Sequence, residues 1–151
     1  MMTYFGDRDI EEKDKRQAAQ YSPLVLAYIG DGVYEMYIRL MLVEKGNMPV
    51  NKLHRQATVY VKANAQSTMV QQLYEQLTEK ERQIYKRGRN AKSGTSPKNA
   101  DIQDYRRATG FEALLGYLYL VGETARIEKL MALGVDSLAS RQARSEYKNS
   151  E

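Results

Sequence analysis

The sequence predicts an all-α fold, a single helical bundle, and three observations predict it. Apolar residues recur at three- and four-residue spacing through the long segments. Helix-capping residues stand where those segments begin. Strand signals are poor: no Asn-Gly or Asp-Gly turn lies between alternating apolar runs, and Asp31-Gly32 sits inside a helical pattern. A chain of 151 residues suits one domain with one core. We place that domain at residues 22–136, between a flexible N-terminal arm, 1–21, and a flexible C-terminal tail, 137–151, both polar and without sustained hydrophobic period.

Ser22-Pro23 opens the first strong helix, with Ser22 as N-cap and Pro23 at the first helical position. Val25, Ile29, Val33, Met36, Leu40 and Val43 carry it to about Lys45, where Gly46 can end it in a left-handed turn. A second helical stretch starts near Pro49 through Leu53, Ala57, Val61 and Ala65, breaks near Lys62 to Asn64, and resumes through Leu73 and Leu77. Thr78 and Glu81 form a capping box for the next helix, which ends near Gly88. Residues 88–100 have the richest turn composition and read as a loop. Asp101 starts a helix to about Val121, and a shorter one from about Glu123 to Leu133 closes the domain at Gly134.

Composition narrows the chemistry. There is no cysteine, which excludes disulfides, thiolate zinc sites and a cysteine nucleophile. The single histidine, His54, argues against a two-histidine metal site. The start is charged rather than apolar and no apolar run is long enough to cross a bilayer, so the expected location is cytoplasmic. A net charge of +4 favours a polyanionic partner, and its distribution sharpens that. From Arg82 to Ala100 there are six basic residues and no acid: Arg82, Lys86, Arg87, Arg89, Lys92 and Lys98. A cationic loop of this kind, with Gly88 and Gly94 admitting close approach and Ser93, Thr95 and Ser96 as donors, can contact RNA phosphates and 2′-hydroxyls. Arg106 and Arg107 extend it, and the plain alternative is a solvated loop.

Two acids stand where helices should be apolar. Asp31 lies between Gly30 and Gly32 on the stripe Ala27, Asp31, Glu35, Arg39. Glycine costs roughly 1 kcal/mol inside a helix, so a pair beside an acid suggests that something comes close to the backbone. Glu112 is the one acid in the run Phe111 to Val121. A carboxylate among core residues is costly unless a cation meets it. For Glu35 the partner is Arg39, one turn on. For Asp31 and Glu112 two readings stay open: tertiary salt bridges to residues such as Arg126 or Lys129, or a shared hard cation such as Mg²⁺, which takes oxygen ligands.

The segment Leu26-Ala27-Tyr28-Ile29-Gly30-Asp31-Gly32-Val33-Tyr34-Glu35 resembles the signature helix of the ribonuclease III family. Phe111-Glu112-Ala113-Leu114-Leu115-Gly116 resembles its second catalytic helix, and Arg87-Gly88-Arg89-Asn90-Ala91-Lys92-Ser93-Gly94-Thr95 resembles the short Mini-ribonuclease III branch. The resemblance runs in order over about residues 22–134. It implies a ribonuclease III-type endonuclease domain, a homodimer, and Mg²⁺-dependent cutting of double-stranded RNA, with a role in trimming large-subunit (23S) ribosomal RNA precursors. A ribosomal protein or pre-ribosomal particle is the further partner it suggests. Asp31 and Glu112 would be the catalytic metal ligands. Standard members carry further carboxylates at the positions of Ala27 and Thr109, so Thr109 is left to hydrogen-bond a water, with Glu35 in a similar outer role. Tyr28, Tyr34 and Tyr37 are candidates for the dimer interface. The competing readings are a non-catalytic, ribosome-associated RNA-binding protein of the same fold and a helical DNA-binding regulator.

Overall fold

The structure is a computed structural model that describes residues 3–92 and 101–150. Among the described residues seven helices follow one another: α1 Glu12–Ala18, α2 Pro23–Lys45, α3 Val50–Val61, α4 Ala63–Leu73, α5 Glu79–Arg89, α6 Ile102–Leu120 and α7 Thr124–Ser150, with a 3-10 turn at Tyr74–Gln76. No strand occurs among the described residues, and none of their helices is long and apolar enough to cross a membrane.

The capping signals work as read. The Ser22 hydroxyl accepts from the Val25 amide, and the Thr78–Glu81 box is closed in both directions. The long second stretch breaks at Lys62, whose extended backbone (φ −72°, ψ 148°) separates α3 from α4. Asp101 caps α6 by accepting from the amides of Gln103 and Asp104.

Helix α6 is the hub. It packs against α1, α2, α4, α5 and α7. That explains the apolar run from Phe111 on: this half of the helix is surrounded by neighbours and has little polar face to keep, whereas Gln103 and Arg106 near its start are exposed. Its Phe111, Leu114 and Leu115 meet Tyr34 and Ile38 of α2, Met69 of α4, and Ile127, Leu130 and Met131 of α7, all fully buried. The contact with α2 is backbone-close. A Cβ on Gly30 would overlap the Glu112 carbonyl, and one on Gly116 would overlap the Leu26 carbonyl. Two glycines, one from each helix, thus let the main chains touch at Asp31 and Glu112.

Several expectations are corrected. The N-terminal arm is not loose: α1 lies within it, Tyr4 stacks edge-on against Tyr37 at 4.9 Å, and the Arg8 guanidinium sits 3.9 Å from the Tyr119 ring centroid. The last helix does not stop at Gly134 but runs to Ser150, through the expected flexible tail. Gly134 is a packing residue, with space for a Cβ closed by Met69 at 3.1 Å. Gly46 ends α2 with an extended φ of 164° rather than a left-handed turn. Gly88 lies inside α5 and is buried against Ala113 and Gly110 of α6, so its missing side chain serves helix packing and not a phosphate.

Candidate active site

Helix α2 brings Asp31, and α6 brings Glu112, to the point where Gly30 lets the two backbones meet. Asp31 is exposed and Glu112 largely buried, with a side-chain hydrogen bond between them. Burial pushes the Glu112 carboxyl up to about 9, helped by that bond and by the nearby charges of Asp31 and Glu35. Among the described residues no lysine or arginine forms a salt bridge with either acid. The tertiary salt-bridge reading therefore gives way. Arg126 engages Glu81 at 2.9 Å and the Gln76 carbonyl at 2.9 Å, and Arg107 pairs with Asp104 at 3.8 Å.

Such a site wants positive charge. Two carboxylates crowded in a half-closed corner cannot both ionise cheaply without a cation between them. The donors are all oxygen, with no cysteine or histidine, and no cluster of three acidic, histidine or cysteine ligands forms among the described residues. Two carboxylates leave most of a coordination sphere to water, as Mg²⁺ prefers. The donor set fits a hard divalent cation.

The outer residues sort differently. Glu35 pairs with Arg39 at 3.9 Å, as its spacing suggested, and adds its charge to that felt by Glu112. The Thr109 hydroxyl donates to the Tyr105 carbonyl at 3.0 Å, so towards a water it can only accept. Gly32, read with Gly30 as a sign of close approach, has open space where a Cβ would stand.

Of the cations, Lys86, Arg87 and Lys92 are exposed. Lys92 lines a cavity of about 400 Å³ with Leu24, Ile102, Tyr105, Arg106 and Thr109, which brings it near the α6 turn before Glu112. Arg89 lies 5.6 Å from the Tyr85 ring centroid and bonds Asn90. Arg82 is held structurally, by the Tyr74 and Glu75 carbonyls and the Glu75 carboxylate. Lys98, with Ser93, Gly94, Thr95 and Ser96, lies outside the described residues. His54 is exposed on α3 and lines a groove shared with Glu35 and Arg39.

The three tyrosines divide. Tyr28 is 80% exposed, whereas Tyr34 and Tyr37 are core residues and cannot be interface contacts. Tyr34 instead stands beside Glu112, whose charge, after burial, helps hold its phenol above the ordinary range. Helical phase put Tyr34 next to Asp31 and said nothing of α6, so that role was invisible in the sequence.

An all-helical domain whose two central helices bring a pair of acids together is an arrangement that can serve a metal-dependent hydrolase. The profile of the ribonuclease III domain matches residues 24–123. Mini-ribonuclease 3 of Thermoanaerobacter sp. (strain X514) is 53% identical over 121 residues, 80% of this chain and 85% of that protein. Mini-ribonuclease 3 of Clostridium tetani is 49% identical and covers 92% of each chain. A crystal structure of a Fusobacterium nucleatum protein superposes with a TM-score of 0.71 at 30% identity, over 77% of this chain and 93% of that one. The chain belongs to the ribonuclease III family, in its Mini-ribonuclease III branch.

Proposed function

We propose that the protein is an endoribonuclease that cuts double-stranded RNA with Mg²⁺ held by Asp31 and Glu112. The observation that carries this reading is the pair itself: two adjacent carboxylates, one exposed and one largely buried, with no salt bridge to a lysine or arginine among the described residues. Retention of both acids favours catalysis over RNA binding alone. A helical DNA reader would need an exposed recognition helix, whereas the acid-free basic run lies mainly at the end of α5 and beyond it.

A bound divalent cation would supply Lewis acidity towards the phosphate and an acidified water. Within the chain, Asp31 is the solvent-facing ligand and Glu112 the inner one, which must release its proton to bind metal. Thr109 accepts from a water one turn before Glu112. Water attacks phosphorus in line and the ribose 3′ oxygen departs, which gives 5′-phosphate and 3′-hydroxyl ends. Lys86, Arg87 and Lys92, with Arg89 behind them and Lys98 beyond, hold the RNA backbone.

Two strands need two sites, and a homodimer supplies them. The large apolar residues left open along α2 are Leu24, Val25, Tyr28, Met36 and Val43, with the bare surface of Gly32 between them. An apolar helix face left open in this way suits packing on a second copy. Sedimentation at micromolar concentration should give twice the chain mass, and a monomer would contradict this arrangement. The substrate we assign is a large-subunit ribosomal RNA precursor in the cytoplasm, met on or near a pre-ribosomal particle.

The test is Asp31→Asn with duplex RNA and Mg²⁺. Cleavage should fall by at least about a hundredfold while the fold is kept. Near-normal cutting by the folded variant discards the scheme.

A further inference from the structure

We propose that Tyr34 is a positioning residue for Glu112: its buried hydroxyl ties the α3–α4 corner to the back of the acid pair and so sets where the Glu112 carboxylate stands. This rests on the reading of Asp31 and Glu112 as metal ligands.

The end of α3 poses a hydrogen-bonding problem. Its last carbonyls, Tyr60 and Val61, have no partners within the helix, because the chain turns extended at Lys62. Each is met by a side chain from a different helix. The Tyr34 hydroxyl of α2 donates to the Tyr60 carbonyl, and the Gln66 Nε2 of α4 donates to the Val61 carbonyl at 3.3 Å. Otherwise α3 is held by partly buried side chains, Leu53, Ala57, Tyr60 and Val61, packed against the core. It contributes no buried residue, and a groove of about 420 Å³ lined by Ile38, Leu42, Leu53 and Ala57 separates it from α2. Two donors thus add to that packing by fixing the last carbonyls of the corner.

The two donors are not equivalent. Gln66 anchors the corner to α4, and its Oε1 finds no partner among the described residues. Tyr34 is wholly buried and stands one turn after Asp31 on α2. Its ring meets Phe111, the residue before Glu112, edge-on at 6.2 Å. Its oxygen lies 3.6 Å from Met69 Sδ and close enough to Glu112 to feel its charge. Having given its one proton to Tyr60, the phenol has none to spend on the carboxylate. With its hydroxyl fixed on Tyr60 and its ring against Phe111, it holds the α6 turn that carries Glu112 in place beside Asp31. A phenylalanine would fill the same space but slide free of Tyr60, and an outer-shell partner removed in this way usually weakens a metal site.

The experiment compares Tyr34→Phe, Gln66→Met and Asp31→Asn with the unaltered chain, titrating Mn²⁺ by calorimetry without RNA and measuring duplex cleavage. Tyr34→Phe should bind Mn²⁺ about tenfold more weakly and lose a similar factor in kcat. Its KM for RNA should stay within about twofold, since the RNA-binding cations are untouched. Gln66→Met loosens the same corner from the other side, so it should lower the unfolding temperature while leaving Mn²⁺ affinity within about twofold. Wild-type Mn²⁺ affinity in Tyr34→Phe overturns the proposal, as does an equal loss in Gln66→Met, which would make the effect one of general loosening. Asp31→Asn separates the two levels of inference. If it binds Mn²⁺ normally, the metal assignment fails; if it alone loses binding, only the role of Tyr34 falls.

Discussion

In the metal-free protein Glu112 holds a proton at neutral pH, because burial, with Asp31 beside it, lifts its carboxyl from 4.5 to about 9. The unfolded chain ionises the same group near 4.5. Between those values the folded state binds the extra proton, so stability falls as pH rises. The contribution is whole below about 4.5 and is lost progressively towards 9. At about pH 7.5 the gap is roughly three units, a ceiling of about 4 kcal/mol. Glu112→Gln removes that cost while keeping a donor for Asp31. For a domain of this size, about 2–4 °C of unfolding temperature goes with each kcal/mol. With EDTA at about pH 7.5 the variant should melt about 5–15 °C higher than the unaltered protein, and the gain should shrink to about 2 °C at about pH 5. Differential scanning calorimetry across that range is the assay. Added Mg²⁺ should reverse the order, stabilising only the chain that keeps Glu112. A variant no more stable than the parent in EDTA at any pH refutes the reasoning, since Glu112 would then be solvated or already neutralised.

Other consequences follow from the packing and the charges. Gly30→Ala drives a methyl into the Glu112 carbonyl and must part α2 from α6; it should cost more than about 3 kcal/mol by urea denaturation, and a loss under about 1 kcal/mol would show the crossing is looser. Arg126→Ala strands Glu81, whose side chain is 8% exposed, and should cost about 3 kcal/mol. Burial pushes the Glu81 carboxyl up, but its bonds to Arg126 and the Thr78 amide hold it below the ordinary 4.5. Its stabilisation is therefore full above that value and lost as pH falls through the lowered one, so Arg126→Ala should also flatten the acid limb of the stability curve. Neutralising Lys86, Arg87 and Arg89 together should weaken duplex binding and reduce its salt slope by about 0.9 for each phosphate that no longer meets a cation; an unchanged slope would remove these residues from the interface.

The helices were legible because their signals are local. Ser22-Pro23, the Thr78–Glu81 box and Asp101 each satisfy amides within one turn, so sequence alone locates them. Glycine was misread because a missing side chain has two uses. Gly134 and Gly88 read as stops, yet each admits a neighbouring helix, and only tertiary packing separates the two meanings. The acid pair was half legible. Asp31 and Glu112 stood out as charges in apolar runs, and Glu35–Arg39 followed from spacing. What pairs with Arg126, and what stands behind Glu112, depends on which helices touch. Tyr34 lies 78 positions from Glu112 in the chain and beside it in space. The same limit explains Arg82, which groups with the other cations of the acid-free run by sequence and with the scaffold by its carbonyl partners.

The most direct test of the acid pair is the proton balance of metal binding. Mn²⁺ titrated at about pH 7.5 in buffers of different ionisation enthalpy should release about one proton per ion, because Glu112 must ionise to bind, and Asp31→Asn should abolish the binding. Binding with no proton release, undiminished in Asp31→Asn, would place the metal elsewhere and contradict the account.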